Sequence, residues 1–189
     1  MAKTTRRADS IVRLKVTLRN IRPSVWRRLL MAGGMTLGDL HLAIQAAMGW
    51  QLCHLHVFDV GGSDYGDPYD VDDVDDEERM TLNALVKSGV ARFAYTYDFG
   101  DGWQHAIVVE GRQSPDEGRT YPACIAGKRK CPPEDCGGPW GYQRLLAILA
   151  DPSQPDHAEQ LEWIGGAFDP EDFSVAAADA MLAARFGRR

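Results

Sequence analysis

The chain has 189 residues, of which 44% are hydrophobic and 25% charged, enough for one full core and short for two. A formal charge of -6 and a pI near 5.3 exclude a broad phosphate-tracking surface, because non-specific nucleic-acid affinity rests on clustered Lys and Arg. No run approaches the ~20 apolar residues of a membrane helix, and no apolar segment follows the charged N-terminus to make a signal peptide, so the expected location is the cytoplasm and no membrane partner is expected.

Residues 1–10 are polar and aperiodic and read as a flexible tail, with residues 11–187 forming a single domain. Val12, Leu14, Val16 and Leu18 alternate with Arg13, Lys15, Thr17 and Arg19, the signature of a half-exposed strand. After Pro23, the segment Val25 to Met31 reads as its partner strand, followed by a Gly33-Gly34 turn. Thr36 caps the next segment, where Leu37, Leu40, His41, Ile44, Ala47 and Met48 repeat at three and four, predicting an amphipathic helix that Gly49 ends.

His54 to Val60 returns to strand character, with His54, His56 and Phe58 on one face. From Asp64 to Glu78 acidic residues accumulate without a base until Arg79, which predicts a solvated loop by self-repulsion. Asp70, Asp72, Asp73, Asp75 and Asp76 offer oxygen ligands for Ca²⁺ or Mg²⁺, although their spacing departs from the EF-hand pattern. Thr81 caps a short helix through Val86.

Two runs of period two follow. Phe93, Tyr95, Tyr97 and Phe99 alternate before Asp98-Phe-Gly-Asp-Gly102, and Trp103, His105, Ile107 and Val109 alternate after it. This is a β-hairpin signal, with Gly100 and Gly102 freeing the turn backbone and Asp98 and Asp101 able to bond nearby N–H groups. One hairpin face thus carries aromatic core material with one titratable imidazole set into it.

Pro122 to Gly138 is rich in Pro, Gly and Cys and lacks either regular period, so it reads as irregular backbone held by something other than its own ladder. Helices are expected at Tyr142–Leu149 and His157–Ile164, and a last one from Asp169-Pro170 to Gly187. The fold class expected is α+β: one domain with a mixed, mostly antiparallel sheet of about five strands and packed helices.

Several of these pieces together resemble the plasmid pRiA4b ORF-3-like family: Ile21-Arg-Pro-Ser-Val-Trp-Arg-Arg28, Leu37-Gly-Asp-Leu-His41 with Met48-Gly-Trp50, His54-Leu-His-Val-Phe58, Tyr97-Asp-Phe-Gly-Asp-Gly-Trp-Gln-His105, Cys131-Pro-Pro-Glu-Asp-Cys-Gly-Gly138 and Phe168-Asp-Pro-Glu171. The resemblance implies a passenger protein of plasmids or insertion elements and carries no assigned reaction. A resolvase-like label attached to some members does not fit this sequence: a nucleophilic Ser supported by several Arg side chains is not legible in it.

The chemistry-bearing residues gather in two groups. Cys124, Cys131 and Cys136 with His105 as a fourth ligand would make a tetrahedral zinc site, set against the plainer reading of small buried residues in a Pro/Gly loop. His41, His54, His56 and His105 could bind metal or pass protons, or each could simply be hydrogen-bonded to a neighbour, His105 to Asp98 or Asp101. Tyr97, Asp98, Asp101, Trp103, His105, Glu134 and Asp135 are the candidates for holding a ligand, or a protein or nucleic-acid partner. Three functions are therefore open: a non-enzymatic binding or accessory protein, a metal-dependent hydrolase with a His/Asp/Cys site, and a DNA-binding module using the Trp26-Arg27-Arg28 strand.

Overall fold

In a computed structural model, residues 10–187 are described. Most of the tail expected for residues 1–10 lies outside the described residues, but Ser10 is already fixed: its hydroxyl donates to Asn83 Oδ1 at 2.8 Å. The fold is a single α+β domain built on one eight-stranded sheet. Its strands are β1 (Ile11–Leu18), β2 (Trp26–Ala32), β3 (His56–Val60), β4 (Ser63–Gly66), β5 (Asp75–Asp76), β6 (Arg92–Tyr97), β7 (Trp103–Gln113) and β8 (Ala123–Lys128), in the spatial order β5-β4-β3-β6-β7-β1-β2-β8. Every pairing is antiparallel except β4 with β5.

Three strands exceed the expected five, for readable reasons. The acidic stretch expected to be a loop supplies β4 and β5 at the sheet edge, where exposed side chains let the carboxylates stay in water while the backbone pairs. The Cys-containing stretch supplies β8, which pairs with β2 through a register shift between Arg28 and Leu29 that obscures any period of two.

The five helices are α1 (Leu37–Met48), α2 (Leu82–Lys87), α3 (Gly138–Leu149), α4 (His157–Trp163) and α5 (Val175–Phe186). Helix α1 begins as expected: the Thr36 hydroxyl accepts from the Asp39 amide and the Asp39 carboxylate accepts from the Thr36 amide, a capping box, and Gly49 ends the helix at φ 86. Helix α5 begins at Val175, capped by Ser174, later than Asp169-Pro170 suggested.

The main core is a cluster in which Val12, Leu14, Val16 and Leu18 of β1 meet α1, the aromatic hairpin, and Tyr142 and Leu182 from the helical third, with a small separate cluster of Ile11, Leu30 and Ala123. Helices α1 and α5 lie against each other, and α5 also covers β8. The inward register puts Arg27 opposite Val16 and thus inside. It is only 2% exposed, with its Nε donating to the Ala47 carbonyl and its Nη1 to the Trp26 and Lys128 carbonyls. Arg28 points to the other face and forms a two-pronged pair with Glu110 at 2.6 and 2.9 Å.

Candidate functional site

The aromatic hairpin forms as its period predicted. Tyr97 pairs with Trp103, Tyr95 with His105 and Phe93 with Ile107, and this face is buried. Phe99 leaves the pattern, because β6 ends at Tyr97 and the turn carries Phe99 outward to half exposure. Asp98 Oδ1 accepts from the Gly100 amide at 3.0 Å and the Asp101 amide at 3.3 Å, so Asp98 holds the turn, as its position suggested. Asp101 instead reaches across to the Cys-Pro-Pro-Glu-Asp loop and accepts from the Gly137 amide at 3.1 Å.

That contact is one of several joining hairpin and loop along a seam. The Tyr97 hydroxyl donates to Glu134 Oε1 at 2.5 Å and accepts from the Cys53 amide at 3.1 Å. The other Glu134 oxygen accepts from the Gln51 amide at 2.9 Å. Trp50 stacks on Tyr97, with ring centroids 5.0 Å apart, and its Nε1 donates to the Pro132 carbonyl at 2.9 Å. Three separate segments, 50–54, 97–102 and 131–138, are thereby tied into one surface. Tyr97, Asp98, Asp101, Glu134 and Asp135, all singled out in the sequence, meet there, although Tyr97 is itself fully buried and serves through the hydrogen bonds that hold the loop, a correction to its place among the ligand-holding candidates.

Trp103 and His105 do not reach that surface, a correction to their place among the ligand-holding candidates. Both are fully buried beneath it. The expected bond from His105 to Asp98 or Asp101 is also absent: neither ring nitrogen has an aligned hydrogen-bond partner, and the ring sits edge-on to Trp50 and tilted against Tyr95. Burial pushes its pKa down to about 4, against a smaller upward effect from the Tyr95 and Trp103 backbone, so it is a neutral core group.

The zinc set expected from Cys124, Cys131, Cys136 and His105 does not assemble either. Among the described residues, the group of three His, Cys, Asp or Glu side chains whose donor atoms converge within 4.8 Å is His54, Asp98 and Asp135. All four cysteines are free thiols. Burial raises the pKa of Cys124, carries that of Cys131 well above the thiol range and that of Cys136 to about 12, disfavouring thiolate in spite of Arg27 beside the first two. Cys124 stands apart, its amide donating to Asp179 of α5.

The remaining histidines form a separate arrangement. His41 and His56 stack with centroids 3.5 Å apart and planes 3° from parallel. His41 Nδ1 lies 2.8 Å from the Tyr95 hydroxyl, and His56 Nε2 lies 2.8 Å from Glu77 Oε2. Burial, with a smaller contribution from His56, pushes the His41 pKa down to about 2. The two rings line a cleft of about 240 Å³ together with His54, Asp67, Asp70, Glu77 and Glu78. On the far side of the hairpin turn a second hollow of about 650 Å³ lies between Arg22, Gly102, Gln104, Trp140 and Gln143, with Trp140 83% exposed. Trp140, Gln51 and Trp50 were missed as site residues; only the run of aromatic and polar types near Gly and Pro hinted at them.

The DNA-binding strand is likewise spent internally, since Arg27 is buried on backbone carbonyls and Arg28 is paired with Glu110. Among the described residues no helix is long and apolar enough to cross a membrane.

The α+β fold and its sequence are shared with known proteins. A family profile described as "Plasmid pRiA4b ORF-3-like protein" matches residues 10–177, and the chain belongs to that family. It is 43% identical over 173 residues to the "Uncharacterized protein y4hQ" of Sinorhizobium fredii, covering 90% of this chain and 87% of the relative. It is also similar to a protein of unknown function, MM3350, from Methanosarcina mazei Go1, whose crystal structure superposes with a TM-score of 0.83 at 36% identity, over 89% of this chain and 97% of that one.

Proposed function

We propose that this protein is a non-enzymatic binding or accessory protein of mobile-element origin, acting in the cytosol and holding a protein partner along the seam between the hairpin turn and the Cys131–Gly138 loop. The observation that supports this reading is a division of labour among side chains. Three of the imidazoles are occupied internally, His41 on Tyr95, His56 on Glu77 and His105 in an aromatic cage. The large exposed ring of Trp140, by contrast, stands at the end of the seam, at the start of a helix whose neighbours Gly137 and Gly138 are locked to Asp101. A rigid platform with a protruding aromatic is the usual form of a binding hot spot. The plasmid designation of the family supports the mobile-element part.

The test is photo-crosslinking in the source cell with a benzophenone amino acid at position 140, or at position 69 as a still more exposed aromatic control in the acidic stretch. A single discrete adduct from 140 and none from 69 is expected. No adduct from 140, or the same adducts from both, contradicts the reading. A metal-dependent hydrolase is the second reading, favoured by the convergence of His54, Asp98 and Asp135; divalent-ion-dependent turnover of an ester or phosphoester that His54→Ala abolishes would establish it in place of the first.

A further inference from the structure

The geometry points to a binding site for one first-row divalent transition-metal ion, held by His54 Nε2, Asp98 Oδ2 and Asp135 Oδ1. This extends the reading above by naming what the seam holds, and rests on it only for the ion's place in partner binding.

Each ligand comes from a different one of the three segments that the seam joins. His54 Nε2 lies 3.0 Å from Asp135 Oδ1 and 3.7 Å from Asp98 Oδ2, and all three donor atoms fall within 4.8 Å of one another. Such separations suit donors arranged around a common centre at the ~2.0–2.2 Å bond lengths of imidazole and carboxylate ligands. The Nε2 atom is shielded from solvent and, although 3.0 Å from Asp135 Oδ1 and 3.7 Å from Asp98 Oδ2, makes no aligned hydrogen bond to either carboxylate, which leaves a buried polar atom without a partner in the protein. Asp98 is well placed to ligate: its Oδ1 is engaged by the Gly100 and Asp101 amides, which fix the carboxylate and leave Oδ2 facing His54.

The donor set selects the ion. One imidazole with two carboxylates suits Zn²⁺, Co²⁺ or Mn²⁺ better than Ca²⁺ or Mg²⁺, which prefer all-oxygen shells. Three protein ligands leave coordination positions open, and Asp135 lies on the exposed side where a solvent or partner donor would enter.

The experiment uses the chelator-stripped full chain, titrated with Zn²⁺ alone by calorimetry and with Co²⁺ alone by absorption. One saturable ion per chain is expected, with ligand-field bands for Co²⁺ and no thiolate charge-transfer band, and with affinity lowered more than about tenfold in both His54→Ala and Asp135→Asn. Asp135 is mostly exposed, so its variant keeps the fold, which an unchanged melting curve in chelator verifies. Absence of saturable binding, binding undiminished in both variants, or a thiolate band would overturn the site. Metal binding is read without any partner, so its failure and the failure of the crosslinking test above are separate results.

Discussion

The Tyr97 hydroxyl donates to Glu134 at 2.5 Å, across 37 residues of sequence, and through it a hairpin strand holds the loop that follows β8. Burial, followed by the hydrogen bond to the neighbouring carboxylate, raises the Tyr97 pKa well above the usual phenol range, so the tyrosine keeps its proton and donates it. A hydrogen bond to a charged acceptor contributes about 1.5–3 kcal/mol. Tyr97→Phe should therefore lower the unfolding free energy in urea by about that amount, and Glu134→Gln should destabilise as well, because a single amide oxygen replaces the two carboxylate oxygens that accept from Tyr97 and from the Gln51 amide. In the double variant the losses should fall short of their sum. Additive losses would mean that the two groups do not interact.

The acid limb of stability follows from the two buried imidazoles. Burial lowers the folded-state pKa to about 4 for His105 and about 2 for His41, below the ordinary 6.5. On acidification through 6.5 the unfolded chain takes up both protons while the folded chain takes up neither. The contribution is thus complete above pH ~6.5 and lost as pH falls, His105 running out near 4 and His41 near 2. The slope approaches about 1.4 kcal/mol per pH unit for each group. Denaturant titrations between pH 7.5 and 5 should show the loss, reduced in His105→Leu; stability that is flat or rises on acidification would contradict the burial of neutral rings.

Gly138 opens α3 at φ 67, and a Cβ there would run into the Asp101 carbonyl oxygen. Gly138→Ala therefore combines a left-handed backbone with a collision against the hairpin turn, and should cost more than about 1 kcal/mol. Gly165→Ala, also at positive φ (77) but with open space around its Cβ, is the comparison that isolates the collision. Equal melting-temperature losses in the two would argue against a tight seam.

Arg27 is buried on the sheet's inner face, stacked with its guanidinium 3.9 Å from the Phe173 ring centroid. Arg27→Lys keeps the charge but loses the planar fork that serves three carbonyls, so thermal and urea stability should drop by more than about 2 kcal/mol. A near-neutral effect would show that those carbonyls find other donors.

Much of this architecture was legible because local signals and tertiary roles agreed. The hairpin, α1 with its Thr36 cap, and β1 each follow from a clean period or a cap, and residues of the hairpin turn and of the Cys-Pro-Pro-Glu-Asp loop stand together among the candidates read from the sequence. The rest depends on long-range pairing. Strands β4, β5 and β8 exist because a neighbouring edge accepts their backbone, which side-chain alternation does not encode. Cys and His as ligand types suggested zinc at the thiols, but chain direction sends Cys124 to Asp179 and encloses His105 in rings, while His54, just before β3, is left where two aspartates converge. Arg27 shows the same limit: alternation placed it on a strand without telling which face was the core.

Native-state hydrogen exchange on Glu134→Gln and Asp101→Asn tests most directly whether the seam acts as one unit. The Gln51 amide bonds to Glu134 and the Gly137 amide to Asp101, and in the intact protein both should be protected. Either substitution should speed exchange at both amides together, since segments 50–54, 97–102 and 131–138 open as a unit. Acceleration confined to the amide whose own acceptor was changed would show three independent loops and leave no common face for a partner or an ion.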